Sequence, residues 1–430
     1  MKPIVVKSMI LGGAMRDYSH LYPDPDRAGQ RILRLIDKFT SLFGNERDIY
    51  VFSVPGRSEI LGNHTDHNRG CVLAGAIDRD VLAVAARNDE GQVRFHSEGY
   101  APDRVVISET HSPDRFEKYT SSALIAGVVR GFESLGYAVG GYDCCAKSEV
   151  LKGSGISSSA AYEVMVGNIL NHLYNDGAID NKELAKIAQY AENKYFGKPS
   201  GLMDQMACAV GGFVYIDFEN SDLPAVEPIG FSLKDKGYSL CIVNTGGSHA
   251  DLNDDYASIP AEMRAVAASL GREVLSTVTE GELSEKIPTL RGAVGDRAIL
   301  RAIHFIRENE RVREAKAVLE NADAPVESLF DTINRSGRSS FEYLQNVYTV
   351  SSVKEQGLSL ALALTEGFLQ REGLVGRSAM RVHGGGFAGT IQVFLPTSAL
   401  DKYIAYIDTV FGEGSAMPLN IRPVGACRLF

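Results

Sequence analysis

The run Gly153-Ser154-Gly155-Ile156-Ser157-Ser158-Ser159-Ala160-Ala161 lies between an extended stretch, Tyr142 to Leu151, and a helical pattern beginning near Ser158. That succession of strand, glycine-serine loop and helix constrains the chain more than any other segment. Glycines let the backbone approach a ligand closely, and the first helical turn offers unpaired N–H donors at the positive end of the dipole. The combination suits an anion, and adjacent hydroxyls can add a metal ligand. A flexible turn with a serine N-cap would carry the same letters. Other segments must decide.

The surrounding pattern mixes helices and strands throughout. Ile32, Leu33, Leu35, Ile36, Phe39, Leu42 and Phe43 recur at helical spacing, and Gly44 stands where a C-cap belongs. Strands are expected at Ile49–Val54, near 71–88, at 92–97 and 142–150, after the glycine pair at 211–212, and at Tyr238–Asn244. Helices are expected at 117–135, 158–175 and 181–195, and the block 257–372 reads as mainly helical. A strand at Ile391–Leu395, a helix near 398–411 and a last strand around 419–428 complete the chain. The fold class is therefore α+β. No repeat, low-complexity tract or long linker interrupts it. At 430 residues, two α+β domains are expected, 1–215 and 216–430.

Composition narrows the class of partner. An apolar content of 44% and a charged content of 23% describe an ordinary globular chain. A net charge of −10 argues against a general nucleic-acid binder. The six cysteines lack C-x-x-C spacing and sit mostly in apolar runs, so they read as reduced core residues. No stretch approaches the length of a membrane span and the first residues do not form a secretion signal, so a cytoplasmic location is expected.

Three segments concentrate polar chemistry. Residues 55–70, PGRSEILGNHTDHNRG, pack two arginines, two histidines, an aspartate and two asparagines just after a strand. A loop so rich in hydrogen-bonding groups either lies in solvent or lines a polar ligand site. Mixed carboxylate, imidazole and amide groups suit sugar hydroxyls, which both donate and accept. Glu192 and Asp204 flank a Gly-Lys-Pro-Ser-Gly loop, where one carboxylate can hold a metal and the other accept a proton; a solvated helix residue and an N-cap would look alike. His383-Gly384-Gly385-Gly386-Phe387-Ala388-Gly389 leads into another strand and permits close packing of backbones. The phosphate loop G-x-x-x-x-G-K-[ST] is absent, and the dinucleotide fingerprint fails at Ser158.

Taken together, these segments resemble the three signature motifs of the GHMP small-molecule kinases. The first resembles the galactokinase signature, which typically reads G-R-x-N-L-I-G-E-H-T-D-Y-N-x-G against GRSEILGNHTDHNRG here. LKGSGISSSAA resembles the second motif, RVHGGGFAG the third, and GLMDQ a further galactokinase element. The stretch Arg301 to Val312 is also similar to a family pattern. The resemblance implies a two-domain fold with the active site in the cleft between the domains, and ATP-dependent phosphorylation of the anomeric hydroxyl of a hexose. It makes Arg57 and Asp204 the catalytic pair. Ser159 and Glu192 would hold Mg²⁺, while Gly153, Ser154, Gly155, Ile156, Ser157, Ser158 and Ser159 would cradle the ATP phosphates. Asn63, His64, Asp66, Gly201 and Tyr256 would line the sugar pocket. Phe116 stands where galactokinases often place a tryptophan near the adenine.

Departures bear on the substrate. Asn63 replaces a glutamate that in galactokinases binds the hexose 6-hydroxyl, His67 replaces a tyrosine, and Ala388 replaces a fourth glycine. Galactose is the expected sugar, with galacturonate or a related sugar as the alternative, because an amide tolerates a C6 acid that a carboxylate repels. A non-catalytic sugar sensor is a further alternative, against which stand the intact serine run, Arg57, Asp204 and Glu192.

Overall fold

A computed structural model describes residues 1–150, 155–198, 200–220, 223–247 and 252–430. Helices α1 (Pro3–Leu11) and α2 (Pro25–Phe43) precede strands β1 (Tyr50–Leu61), β2 (Cys71–Arg87), β3 (Gln92–Ser97) and β4 (Asp103–Val106). Then come α3 (Ser121–Ser134), β5 (Tyr142–Ser148), α4 (Ser158–Tyr174), α5 (Asn181–Ala191), α6 (Met203–Val210), β6 (Phe213–Asp217), β7 (Ala225–Ile229) and β8 (Tyr238–Asn244). The helical block is α7 (Asn253–Ser269), α8 (Glu280–Ala293), α9 (Asp296–Glu320), α10 (Val326–Ser339) and α11 (Gly357–Arg371). Strands β9 (Ala379–His383) and β10 (Thr390–Pro396), helix α12 (Leu400–Phe411) and strands β11 (Ala416–Leu419) and β12 (Cys427–Arg428) close the chain.

Among the described residues the strands form two sheets. The larger has the order β12-β1-β2-β5-β3-β4, and β6 and β7 continue from the first half of β2. The 17-residue β2 accomplishes this by pairing β6 through Cys71–Gly75 and β5 through Val81–Arg87. Its side chains alternate across the sheet. Val81, Ala83 and Ala85 face the core with α3 to α6, whereas Leu82, Val84 and Ala86 face α1 and α2. Burial on both faces explains why this strand reads as a continuous apolar run. The second sheet, β11-β8-β10-β9, is antiparallel throughout. Helices α11 and α12 cover one of its faces. On the other face Leu240, Ile242 and Phe394 join the main core together with α9 and α10, which thereby connect the two sheets.

Three local departures from the sequence reading have physical causes. The strand at 49–54 does not stop at Pro55-Gly56 but runs to Leu61, with register shifts between Pro55 and Arg57 and between Glu59 and Leu61. Such bulges accommodate a proline and re-aim the side chains that follow. The helix expected over 181–195 ends at Ala191, and Glu192–Phe196 continues as a wider π turn closed by Gly197 at φ 87°. The single strand expected near 419–428 is two short strands separated by an inward-turned arginine, Arg422. Its Nη1 donates to Ser53 Oγ at 2.7 Å and lies 3.6 Å from Asp80, which also accepts from Arg31 Nη2 and the Tyr22 hydroxyl at 2.7 Å.

That buried cluster fastens the C-terminal segment onto β1. Burial works against ionisation of Asp80, but Arg31, Arg422 and the Ser53 and Tyr22 hydroxyls hold its carboxyl below the usual carboxylate range. Its stabilising contribution is therefore complete above about pH 4 and is lost as pH falls through the lower folded value. Asp80→Asn strands two buried guanidiniums and is expected to lower stability by about 3 kcal/mol at pH 7. Urea unfolding of both proteins at pH 7 and pH 3 checks this, with the difference between them shrinking at the lower pH.

Candidate active site

The signature segments meet where the two sheets approach. Gly56 opens the site by its lack of a side chain: a Cβ there would lie 2.7 Å from the Ile156 carbonyl. The Arg57 N–H donates to that carbonyl at 3.1 Å, so β1 and the serine loop are joined backbone to backbone. Arg57 then spans the gap. Its Nε donates to Asp204 Oδ1 at 2.7 Å and its Nη1 to the Gly155 carbonyl. Asp204 sits in the first turn of α6, where the helix dipole favours a carboxylate. Its second oxygen accepts from the Ser157 hydroxyl.

Ser157 holds a left-handed conformation at φ 62° just before α4. A non-glycine residue there is strained by about 1 kcal/mol or more, which the bond to Asp204 offsets. Ser158 and Ser159 form the first turn of α4, and buried Ile156 precedes them. Gly155, at φ 71°, packs against the third motif: a Cβ would meet Thr390 Oγ1 at 3.1 Å and His383 Nδ1 at 3.2 Å. His383 itself contacts Ser58 Oγ at 3.1 Å. Gly153 and Ser154 lie outside the described residues.

A second cluster surrounds Glu192. Ser159 Oγ approaches its Oε1 at 3.2 Å, Lys198 Nζ donates to the same oxygen at 2.9 Å, and Gln205 Nε2 donates to Oε2 at 2.7 Å. Gln205 Nε2 also reaches Glu163 at 3.1 Å, leaving Gln205 Oε1 and Glu163 Oε1 buried without a donor among the described residues. Burial and the Glu192 charge push the Glu163 carboxyl well up. The Glu192 carboxylate and the Ser159 hydroxyl are oxygen groups of the kind that a hard divalent cation takes. No group of three or more His, Cys, Asp or Glu side chains that could hold a metal is found among the described residues, and a cation at Ser159 and Glu192 would need oxygens of a ligand to complete its shell. Half-buried Phe116 packs 6.3 Å from Tyr195 on the π turn that Glu192 begins.

Of the remaining predicted residues, Asn63, His64 and Tyr256 bond to the glycine loop, and Asp66 and Gly201 lie against each other. His64 Nε2 donates to the Gly385 carbonyl at 2.9 Å, which fixes the neutral Nε2–H tautomer; burial pushes its pKa down to about 4 against the pull of that bond. Tyr256, on α7, donates to the Gly386 carbonyl at 2.7 Å. A Cβ on Gly201 would fall 2.3 Å from Asp66 Oδ2, so the GLMDQ loop presses directly on that carboxylate. Asn63 is buried and fully engaged by the protein. Its Nδ2 donates to Glu59 Oε1 at 2.9 Å and the Gly384 carbonyl at 2.7 Å, and its Oδ1 accepts from Asn346 at 2.7 Å.

Residues of the stretch Arg301 to Val312, to which the sequence assigned no role, hold this loop. From α9, His304 donates through Nε2 to the Asn63 carbonyl at 3.0 Å, Glu308 accepts the Gly62 N–H at 3.0 Å, and Asn309 accepts the Cys71 N–H at 2.7 Å. The spacing 304, 308, 311 marks one helix face, yet nothing in the sequence says which loop it grips. Burial opposes the Glu308 charge, but Arg311, His304 and Arg381 hold its carboxyl down to about 2.

Residues 121–212 match the GHMP kinases N terminal domain. The Methanococcus jannaschii mevalonate kinase structure superposes with a TM-score of 0.59 at 13% identity, covering 88% of this chain and 99% of that one. The fold is that of a GHMP kinase. Residues 37–87 match the galactokinase galactose-binding signature. Galactokinase from Streptomyces coelicolor is 30% identical over 379 residues, 87% of this chain and 92% of that protein. Galactokinase from Thermotoga neapolitana is 31% identical over 349 residues, 81% and 90% respectively. The structure of Lactococcus lactis galactokinase complexed with galactose gives a TM-score of 0.75 at 22% identity, covering 91% of this chain and 98% of that one. The chain belongs to the galactokinase family, and it is an ATP-dependent sugar kinase.

Gly201→Ala must turn Asp66 away from its present position. Misplacement of a binding group by about 1 Å can cost up to roughly 100-fold in rate, and steady-state kinetics should show kcat/KM for the sugar falling at least about tenfold. Thermal unfolding of the same variant should change little, because Gly201 is only half-buried.

Proposed function

We propose that this protein transfers the γ-phosphoryl group of ATP to the C1 hydroxyl of galactose, forming galactose 1-phosphate, with Mg²⁺ as cofactor. The observation that carries the reading is the Arg57–Asp204 pair, joined to the serine loop through the Gly155 carbonyl and the Ser157 hydroxyl. Phosphoryl transfer asks for an in-line nucleophile and charge neutralisation rather than covalent help. Asp204 orients the anomeric hydroxyl and accepts its proton. Arg57 stabilises charge developing on the transferring group.

Burial disfavours the Asp204 charge, but Arg57, the Ser157 hydroxyl and Lys198 together hold its carboxyl below the usual range. It is therefore an ionised base at neutral pH. The N-terminus of α4, with Ser158 and Ser159 in its first turn, receives the phosphates with residues 153–157. Ser159 and Glu192 hold Mg²⁺, which when bound supplies neutralisation of the triphosphate. Phe116 lies towards the adenine. Asn63, His64, Asp66, Gly201 and Tyr256 shape the sugar pocket. The cleft is formed between an N-terminal domain, 1–215, and a C-terminal domain, 216–430, with strands β7 and β12 of the second returning to the sheet of the first.

Galactose is favoured over a uronic acid because the guanidiniums at the pocket are committed: Arg57 to Asp204 and Arg381 to Glu59. His64 is neutral and leaves a carboxylate without a counter-charge. A sensor without turnover is disfavoured by the complete Arg57, Asp204, Ser159 and Glu192 set.

Asp204→Asn is expected to keep ATP and sugar affinity in calorimetry while lowering turnover about 100-fold or more. Near-normal turnover would sink the base assignment. Ser157→Ala removes one hydrogen bond that lowers the Asp204 pKa, so the acid limb of kcat/KM against pH should move to higher pH.

A further inference from the structure

The buried contact between Glu59 and Asn63 joins two positions that the galactokinase signature fills in the opposite sense. The signature has asparagine at the place of Glu59 and glutamate at that of Asn63, so this chain keeps one amide and one carboxylate but exchanges their places. In the structure the two side chains share one set of contacts. Glu59 Oε1 accepts from Asn63 Nδ2 at 2.9 Å and from Arg381 Nη2 at 3.1 Å. Arg381 has no exposed surface, and its Nη1 donates to the Ile60 carbonyl at 2.9 Å. Asn63 spends its other amide hydrogen on the Gly384 carbonyl and its oxygen on Asn346.

A carboxylate at 63 has no hydrogen for Gly384 and would set two negative charges in contact inside the protein. Burial already pushes the Glu59 carboxyl up against the pull of Arg381 and Arg57, so a second charge would be poorly tolerated. With an amide at 59, the same charge at 63 becomes acceptable, because the amide can donate to it. The contacts radiate to the loop that matters: Gly384 and Gly385 present the carbonyls that hold Asn63, Asn346 and His64.

We propose that Glu59, Asn63 and Arg381 act as one positioning unit that sets the glycine loop at 384–386 against the sugar-binding loop, and that residues 59 and 63 are interchangeable only as a pair. The unit spans β1 and β9, on the two sides of the site, and thereby fixes the width of the sugar pocket. It rests on the sugar-kinase reading above and deepens it.

The test is a kinetic cycle of the full chain: Asn63→Glu, Glu59→Asn and the double variant, each with sugar and ATP varied separately. Each single variant should lose about 100-fold in kcat/KM for the sugar with the ATP KM little changed. The double variant should recover to within about tenfold of the parent, since coupled neighbours are non-additive. Glu59→Gln keeps both acceptor contacts without the charge; it covers the case of a single variant that fails to fold, and should raise the sugar KM more than the ATP KM. Asn63→Glu at or above parental activity, a double variant no better than its worse single, or equal effects on both substrates would each overturn the proposal. Turnover of the parent on galactose is the control that separates the two ideas. If it phosphorylates a different hexose, the galactose assignment falls and the cycle on that hexose still decides the pairing. If it phosphorylates no sugar, thermal melts of the same cycle decide it, additive melting shifts counting against the pair.

Discussion

The site depends on one buried cation. Arg57 is only 6% exposed, yet it carries a charge that water no longer solvates. Such a group is tolerated only when its donors all find acceptors. Asp204, the Gly155 carbonyl and, through the main chain, the Ile156 carbonyl are drawn to it from separate segments of the chain. Satisfying Arg57 therefore fixes where α6 and the serine loop stand relative to β1. It also leaves Asp204 ionised, so the demand of the fold and the demand of the chemistry are met by the same contact.

A comparable economy governs the sugar-side loop. Its backbone is held by α9 at three points, the Gly62 N–H, the Asn63 carbonyl and the Cys71 N–H. Gly70 must be glycine because a Cβ would lie 2.5 Å from Asn309 Oδ1. Backbone groups cannot be altered by substitution, so this grip is indifferent to the side chains that the loop displays. The arrangement lets His67 differ from the usual signature while the loop keeps its course, whereas Asn63 is tied to Glu59. Two histidines follow the same logic: half-buried His64 and buried His304 are both held neutral, with desolvation pushing each down to about 4. Neither changes charge near neutral pH, and the pocket keeps one electrostatic character.

Much of this was readable in the letters. The helix ending at Gly44, the strands β2, β3 and β8, and the strand–loop–helix around the serine run follow from period and punctuation. The candidates Arg57, Ser157, Ser159, Glu192 and Asp204 follow from motif content, and the structure brings the described ones together. Harder to read were Glu59, Arg381, Asn346 and Glu308, each of them a polar residue inside an apolar or helical pattern. A single sequence gives no partner for such a residue, and its function is its partner.

Local sequence determined the elements and the chemistry available at each loop, because backbone propensity, glycine freedom and hydrophobic period act over a few residues. Tertiary structure decided which carboxylate meets which guanidinium, that β1 runs on through Pro55-Gly56, and that Asn63 is saturated by Glu59, Gly384 and Asn346. Those outcomes turn on desolvation, and the cost of burying a charge or an amide is set by neighbours as much as 369 residues away along the chain.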